Sequence, residues 1–406
     1  MTRSRRSFLQ LVGANGLAVA AGARLGALTP QTAGGARPSA SEASAAIRLS
    51  SNENGNGPGP RVLSAIQDGF AQVNRYPFQS AGRLQGALAS ALGVTPSQLV
   101  MGCGSSEILD AAVTAFTSPD RGLVTALPTF ELVNDVASHM GHPVVAVPVT
   151  DSLELDLGQM AAGASSAGLI YVCNPNNPTG TLHGAKAIEE FVSAVLAKEP
   201  GATILIDEAY HEYVERADYK SAVPIALSNP HVIVSRTFSK IYGLAGMRVG
   251  YAIGQPDTLR QIGKLLDDLR ISCLSKVAAF TALGDPARVP DQRRLNHDAR
   301  ALTAGVFREA GYPPIPSEAN FLMVNVKRDI RQFQADCHAR GVDIARPFPP
   351  LLTYARVTIG TMDEMQRAAP VFREALSRPS SSARLELFAA PAFAPPALRR
   401  GEPREC

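Results

Sequence analysis

Lys240 lies in the stretch RTFSKIYGLAGMRVG (236–250), directly after HVIVS (231–235), an apolar run that reads as a buried strand. An amine delivered at the end of such a strand can attack a carbonyl carbon or carry a proton. Thr237 and Ser239 flank it with hydroxyls, and Arg248 follows among glycines. A carboxylate, Asp207, ends a second apolar run, ATILID (202–207). Burial there is costly unless the carboxylate meets a cation or a donor, and a helix cap or a salt bridge would meet that need equally well. In MGCGSSEILDAAVTAF (101–116), small residues run straight into a helical pattern. Such a start leaves backbone N–H groups free to hold an anion, here beside Ser105 and Ser106. Gly102-x-Gly104-x-x-Glu107 lacks the third glycine of a dinucleotide fingerprint, and the chain has no Walker A run. A single phosphate therefore fits better than a dinucleotide or a triphosphate. One amine, one buried carboxylate and one anion-binding helix start suit one cofactor chemistry. The lysine would form a Schiff base with an aldehyde, and the carboxylate would keep a pyridine nitrogen protonated. Thr237, Ser239, Arg248 and the helix start would grip a phosphate, which together describes pyridoxal 5′-phosphate.

The elements that must position these groups can be read from the apolar runs. GLVTAL (122–127), PVVAVPV (143–149), AGLIYVC (167–173), ATILID, HVIVS and RVGYAIG (248–254) alternate with helical patterns at 105–117, 130–140, 184–198 and 257–270. Fully apolar strands alternating with helices predict a mostly parallel sheet covered on both faces. Ligands of such sheets sit beyond the carboxyl ends of the strands. AGLIYVC ends in NPNNPTG (174–180), a turn of three asparagines and two prolines that reads as a shaped loop. Asn177-Pro-Thr is no glycosylation acceptor, because proline occupies its middle position. From residue 295 the pattern changes. A helix (295–310), NFLMVNV, a helix (329–340), YARVTIG and a last helix (361–377) predict a smaller α+β domain. The expected division is 1–45 signal and linker, 46–74 a segment joining the small domain, 75–285 the cofactor-binding domain, 286–378 the small domain and 379–406 a tail.

Composition excludes several classes. The 406 residues carry a formal net charge of +3, with 45% hydrophobic and 18% charged residues. That gives no basic field for nucleic acid. Five cysteines (103, 173, 273, 337, 406) show neither a C-x-x-C nor an even framework. Glu208-x-x-His211 has di-iron spacing, but that motif needs a second copy and the chain has none. His139 and His142 have no third ligand near them. The first residues are basic, then apolar and rich in Ala and Gly, too short for a comfortable membrane span. Arg5-Arg6 before Ser7-Phe8-Leu9 resembles a twin-arginine export signal, with cleavage after Ala21-Gly22-Ala23 or later. The expected location is periplasmic or otherwise exported, with a cytoplasmic location as the alternative. No stable membrane association is expected once the signal is removed.

From SNENG (51–55) to FREAL (372–376) the chain resembles the fold-type-I, class I/II aminotransferases, and in particular the histidinol-phosphate aminotransferase group. The motifs NEN, RYP, GCGSSE, PTF, NPNNPTG, DEAY, SRTFSK, GLAGMRVGY and ARVTIGT stand in that family's order and spacing. The resemblance implies a large α/β domain with a mostly parallel seven-stranded sheet, a smaller α+β domain and a pyridoxal-phosphate-dependent transaminase. It implies an internal aldimine on Lys240, which also moves the proton, and a pairing of Asp207 with the pyridine nitrogen. Asn177 and Tyr210 would bond the ring oxygen, and Phe130 would stack on the ring. Ser105, Ser106, Thr237, Ser239 and Arg248 would hold the phosphate. Arg356 would clamp the substrate carboxylate, with Asn52 beside it. Tyr76 would reach the phosphate of a neighbouring subunit, which implies a homodimer. The substrates would be an amino acid and a 2-oxo acid in ping-pong order.

Two segments depart from the family pattern. NENGNG has Gly55 and Asn56 where proline and a bulky residue are usual, and ISCLS (271–275) lacks the usual tyrosine and asparagine. Both border the family's substrate side-chain pocket, and export fits poorly with histidine biosynthesis. A different amino donor is therefore expected. The alternatives are a decarboxylase resembling threonine-phosphate decarboxylase, histidinol-phosphate aminotransferase itself, or a binding protein that keeps the cofactor fold.

Overall fold

The computed structural model describes residues 46–378. The export signal and the tail expected over 1–45 and 379–406 lie outside the described residues. The chain enters through a short strand, β1 (Ile47–Leu49). The main sheet follows with β2 (Leu99–Cys103), β3 (Gly122–Leu127), β4 (Val144–Pro148), β5 (Ala167–Cys173), β6 (Thr203–Asp207), β7 (Val232–Thr237) and β8 (Val249–Gly254). Their order is β2-β8-β7-β6-β5-β3-β4. β8 runs antiparallel to both of its neighbours, and the other pairings are parallel.

The centre of this sheet forms because β5, β6, β7 and β8 are buried at every residue. Helices Ser105–Phe116 and Ala185–Lys198 each contribute one apolar stripe to a core, Ile108, Leu109 and Val113 in the first and Ile188, Phe191 and Val195 in the second. The two helices belong to different apolar clusters.

Two helical expectations shift. The helix expected over 257–270 spans Pro256–Gly263, with a separate short turn at Asp268–Arg270. The helix expected from 295 begins at Arg288. Its first turns carry buried polar residues, Arg288, Gln292 and Asn296, which break the apolar period. Ahead of helix Ser105–Phe116, Leu99–Cys103 forms β2, an edge strand whose closing Gly102 and Cys103 carry little strand signal.

A third apolar cluster gathers Leu49, Phe307, Phe333, Val357 and Phe372 around β10 (Phe321–Asn325), which pairs with β9 (Pro314–Ile315) and β12 (Tyr354–Thr358). β1 pairs in parallel with β11 (Val342–Ile344). The segment 46–74 divides between clusters. Leu49 belongs to this third one, while Val62 and Ile66 of helix Pro60–Gly69 join the cluster that holds Ile188 and Phe191. Among the described residues, no helix is long and apolar enough to cross a membrane.

Candidate active site

The carboxyl ends of β2, β3, β5, β6 and β7 open on one edge of the main sheet, as the parallel order requires. The reversal of β8 adds its amino end to that edge. Arg248 immediately precedes β8, and the register sets Gly250 opposite Thr237 and Val249 opposite Cys103. A cavity of about 740 Å³ lies along this edge. Lys240, Asp207, Tyr210, Ser105, Ser106, Phe130, Asn177, Thr237, Ser239, Arg248, Arg356 and Asn52 all line it. Of the candidates from the sequence, Tyr76 alone is not among its lining residues. Tyr76 is 75% exposed on the outer surface, next to Phe78.

Asp207 is 3% exposed. Ser235 Oγ donates to its Oδ1 at 2.8 Å, and Tyr171 Oη donates to its Oδ2 at 2.9 Å. Burial pushes the carboxyl above its usual range, and these two donors work against that rise. Among the described residues no salt bridge reaches it. A buried carboxylate that lacks a paired cation, yet faces a cavity, suits a ligand that brings a cationic N–H.

Lys240 Nζ donates to the Asn52 carbonyl at 3.3 Å and lies 5.5 Å from the centre of the Tyr210 ring. Burial, and after it the positive charge of Arg356, push the amine down to about 8. Uptake of an aldehyde requires the uncharged amine. We predict that the cofactor-free protein takes up pyridoxal phosphate about tenfold faster per pH unit on approaching pH 8, then levels off. Stopped-flow absorbance measures this, and a flat profile from about pH 6 to 9 would contradict it.

Asn52 holds the opposite wall of this pocket. It takes a left-handed conformation at φ 53° and is almost fully buried. Its amide Nδ2 donates to Tyr210 Oη at 3.0 Å, and Thr358 Oγ1 donates to its Oδ1 at 3.1 Å. The side chain therefore fixes the Tyr210 hydroxyl, while the carbonyl meets Lys240. Local strain of this kind persists only where the surroundings over-determine it.

The anion cradle forms at the start of helix Ser105–Phe116. Gly104, at φ 77°, gives this helix no side-chain cap. A Cβ at Gly104 would run into the Arg248 guanidinium, and one at Gly250 would run into the Ser105 amide. Arg248 is itself left-handed at φ 53°. It donates to Ser239 Oγ at 3.3 Å and to Ser106 Oγ at 3.4 Å, and Thr237 Oγ1 donates to Ser239 Oγ at 3.0 Å. Open N–H groups of the helix start, with three hydroxyls and a guanidinium gathered against it, fit a phosphate dianion.

At the other end of the cavity, Arg356 Nη1 donates to Asn177 Oδ1 at 2.6 Å and Nη2 donates to the Ser50 carbonyl at 2.7 Å. Its buried Nε has no hydrogen-bond partner. Burial pushes this guanidinium down to about 10. The other two asparagines of NPNNPTG serve the turn itself. Asn174 bonds His183 through both its amide atoms, and Asn176 binds Thr129, Thr179 and the Pro128 carbonyl.

Sequence reading missed Tyr171 and Ser235, which face Asp207, because each sits inside an apolar strand as an ordinary strand residue. It also missed Glu131, Arg346 and Phe348, whose neighbourhood depends on contacts across the whole chain. Any signal for Glu131 lay in its position just after PTF.

Comparison with known proteins agrees with this geometry. The family described as aminotransferase class I and II matches residues 44–372. The chain is 36% identical over 334 residues to the histidinol-phosphate aminotransferase of Moorella thermoacetica, covering 82% of this chain and 86% of that protein. It is 37% identical over 317 residues to the aromatic amino acid aminotransferase of Mycobacteroides abscessus, covering 78% and 89%. Among solved structures, the histidinol-phosphate aminotransferase of Sinorhizobium meliloti in complex with pyridoxal-5′-phosphate superposes with a TM-score of 0.76 at 29% identity. That match covers 84% of this chain and 94% of the other.

Proposed function

The chain belongs to the class I and II aminotransferases, and from that premise we infer that its cavity binds pyridoxal 5′-phosphate and moves an amino group between an amino acid and a 2-oxo acid. One observation carries this reading. The buried amine of Lys240 and the buried, cation-free carboxylate of Asp207 open on the same cavity, beside an anion cradle. When bound, the cofactor supplies an aldehyde carbon for the amino group and a ring that accepts the electron pair left at Cα.

The residues of the chain do the rest. Asp207 holds a proton on the ring nitrogen, and Tyr171 and Ser235 hold Asp207. The Asn177 Oδ1 atom is engaged by Arg356, which leaves its Nδ2 hydrogens as donors for the ring oxygen together with Tyr210 Oη. Ser105, Ser106, Thr237, Ser239 and Arg248 bind the phosphate. Phe130 covers the ring. Lys240 Nζ would take the proton from substrate Cα, a task suited to an amine lowered toward neutral pH.

Arg356 binds the substrate α-carboxylate through its planar fork. A lysine cannot match that bidentate geometry. Arg356→Lys is predicted to raise KM for the amino donor by about 30- to 300-fold, the scale of a broken buried charge pair. Steady-state kinetics measure this, and an unchanged KM would remove Arg356 from the role. For the overall reading, initial rates at several donor and acceptor concentrations should give parallel double-reciprocal lines. Release of CO₂ without need for an oxo acid would favour a lyase instead.

Two further parts belong to this reading. The functional unit is a homodimer in which Tyr76 reaches the phosphate of the other copy. An exposed apolar strip supports it, with Phe70, Val73, Tyr76 and Phe78 each more than half exposed. A single-chain mass in sedimentation at assay concentration would refute it. The protein is exported by the twin-arginine route, on the strength of Arg5-Arg6 and the apolar stretch behind them. Cell fractionation of the wild type against a chain with both arginines changed to lysine tests this, and equal cytoplasmic retention would refute it.

A further inference from the structure

Four cations and four carboxylates line the cavity: Lys240, Arg248, Arg346 and Arg356, and Glu53, Glu131, Asp207 and Asp343. Lys240, Asp207, Arg248 and Arg356 face the amine, ring, phosphate and α-carboxylate positions. Of the other four, Glu53, Glu131 and Arg346 have ion-pair partners, while Asp343 faces an imidazole that carries charge only when protonated. Glu53 pairs with Arg48 at 2.6 Å, and His338 Nδ1 lies 2.5 Å from Asp343 Oδ1. Glu131 pairs with Arg346. So among the described residues no further lining cation remains unpaired where the substrate side chain must go.

The Glu131–Arg346 pair joins two distant parts of the chain. Glu131 follows β3 and Arg346 follows β11, and the two meet over the cavity. Arg346 Nη1 also donates to the Pro347 carbonyl at 2.9 Å. Its guanidinium lies 4.6 Å from the centre of the Phe348 ring, and the Arg356 guanidinium lies at the same distance from that ring. A substrate anchored by its carboxylate on Arg356 therefore lays its side chain beside the Phe348 ring and the guanidiniums that cover it. Phe130 and Ile344 add further apolar wall.

We propose that the amino donor carries no negative charge on its side chain, and that Glu131 enforces this choice; the inference rests on the aminotransferase reading and narrows it. Both partners of the pair are partly exposed, with 54% and 42% of their side chains open to solvent. Such a pair holds its partners only weakly. Its effect on selection comes from repulsion. Any phosphate or second carboxylate brought to Arg346 lands against the Glu131 carboxylate, and like charges at close range discriminate strongly. An aromatic or aliphatic side chain leaves the pair undisturbed and lies along the wall that Phe130, Ile344 and Phe348 contribute.

The test uses the holoenzyme and single-turnover loss of its visible absorption band. Phenylalanine and leucine serve as uncharged donors, and histidinol phosphate and aspartate as anionic ones. The better uncharged donor should react at least about tenfold more efficiently than the better anionic one. Glu131→Gln should shrink that ratio roughly tenfold, while Glu131→Asp, which keeps the charge, should retain most of it. A wild type that prefers histidinol phosphate or aspartate would overturn the inference and leave the aminotransferase reading intact. A ratio unmoved by Glu131→Gln would also overturn it. If no amino acid bleaches the band, the aminotransferase reading falls, and this inference falls with it.

Discussion

Replacing Lys240 with alanine is expected to lower kcat by about 10⁴-fold or more, the upper end of what one positioned proton-transfer group supplies. The residue combines two tasks that no neighbour can assume. Among the described residues its amine is the only lysine nitrogen on the cavity wall, and it reaches the Asn52 carbonyl on the opposite side. Burial lowers it to about 8, so a useful fraction is uncharged at neutral pH, whereas an ordinary lysine is almost fully protonated there. Arg356, Asn177 and the phosphate cradle do not depend on Lys240, so substrate and cofactor binding should weaken far less than turnover. Single-turnover rates of Lys240→Ala, with cofactor retention read from absorbance, check both parts. Turnover within tenfold of wild type would contradict the assignment.

Asp207→Asn is expected to cost about 10²- to 10³-fold in kcat, the scale of removing one partner from a buried charge pair. Asparagine has the shape of aspartate, so β6 and its neighbours should hold. The amide can still accept from Ser235 or Tyr171 through its oxygen, but it offers no charge to a ring nitrogen. Cofactor affinity should fall as well, because the ring loses its ionic anchor while the phosphate cradle remains. Absorbance titration of the cofactor-free variant gives affinity, and stopped-flow gives the rate. A variant with wild-type rate and affinity would mean that Asp207 is held by Tyr171 and Ser235 for structural reasons alone.

The strands of the sheet centre were legible because burial on both faces demands continuous apolar runs, and β5 through β8 obey that demand. Lys240 and Asp207 were legible for the same reason, since a charged residue at the end of such a run stands out. β2 was not, because the small residues of MGCG serve the close approach of Ile108 and the cradle rather than strand packing. Arg248 could be noticed as a guanidinium among glycines, but its presence on the catalytic edge depends on the reversal of β8. That reversal is a property of sheet order, which local sequence does not encode. The early start of helix Arg288–Glu309 was hidden by polar side chains turned inward. Arg288 donates to the Ile241 carbonyl at 3.2 Å, and Gln292 accepts from Asn54 at 3.1 Å. The positive φ of Asn52 and the contact of Glu131 with Arg346 likewise arise only when distant segments meet.

The most direct test of the central claim is the visible spectrum of the purified holoenzyme, followed through alternate additions of an amino acid and a 2-oxo acid. The cavity predicts an absorption band that an amino acid bleaches and an oxo acid restores, cycle after cycle, without acceptor-independent loss of CO₂. A protein that shows no such band with pyridoxal phosphate, or whose band survives every amino acid offered, would contradict it.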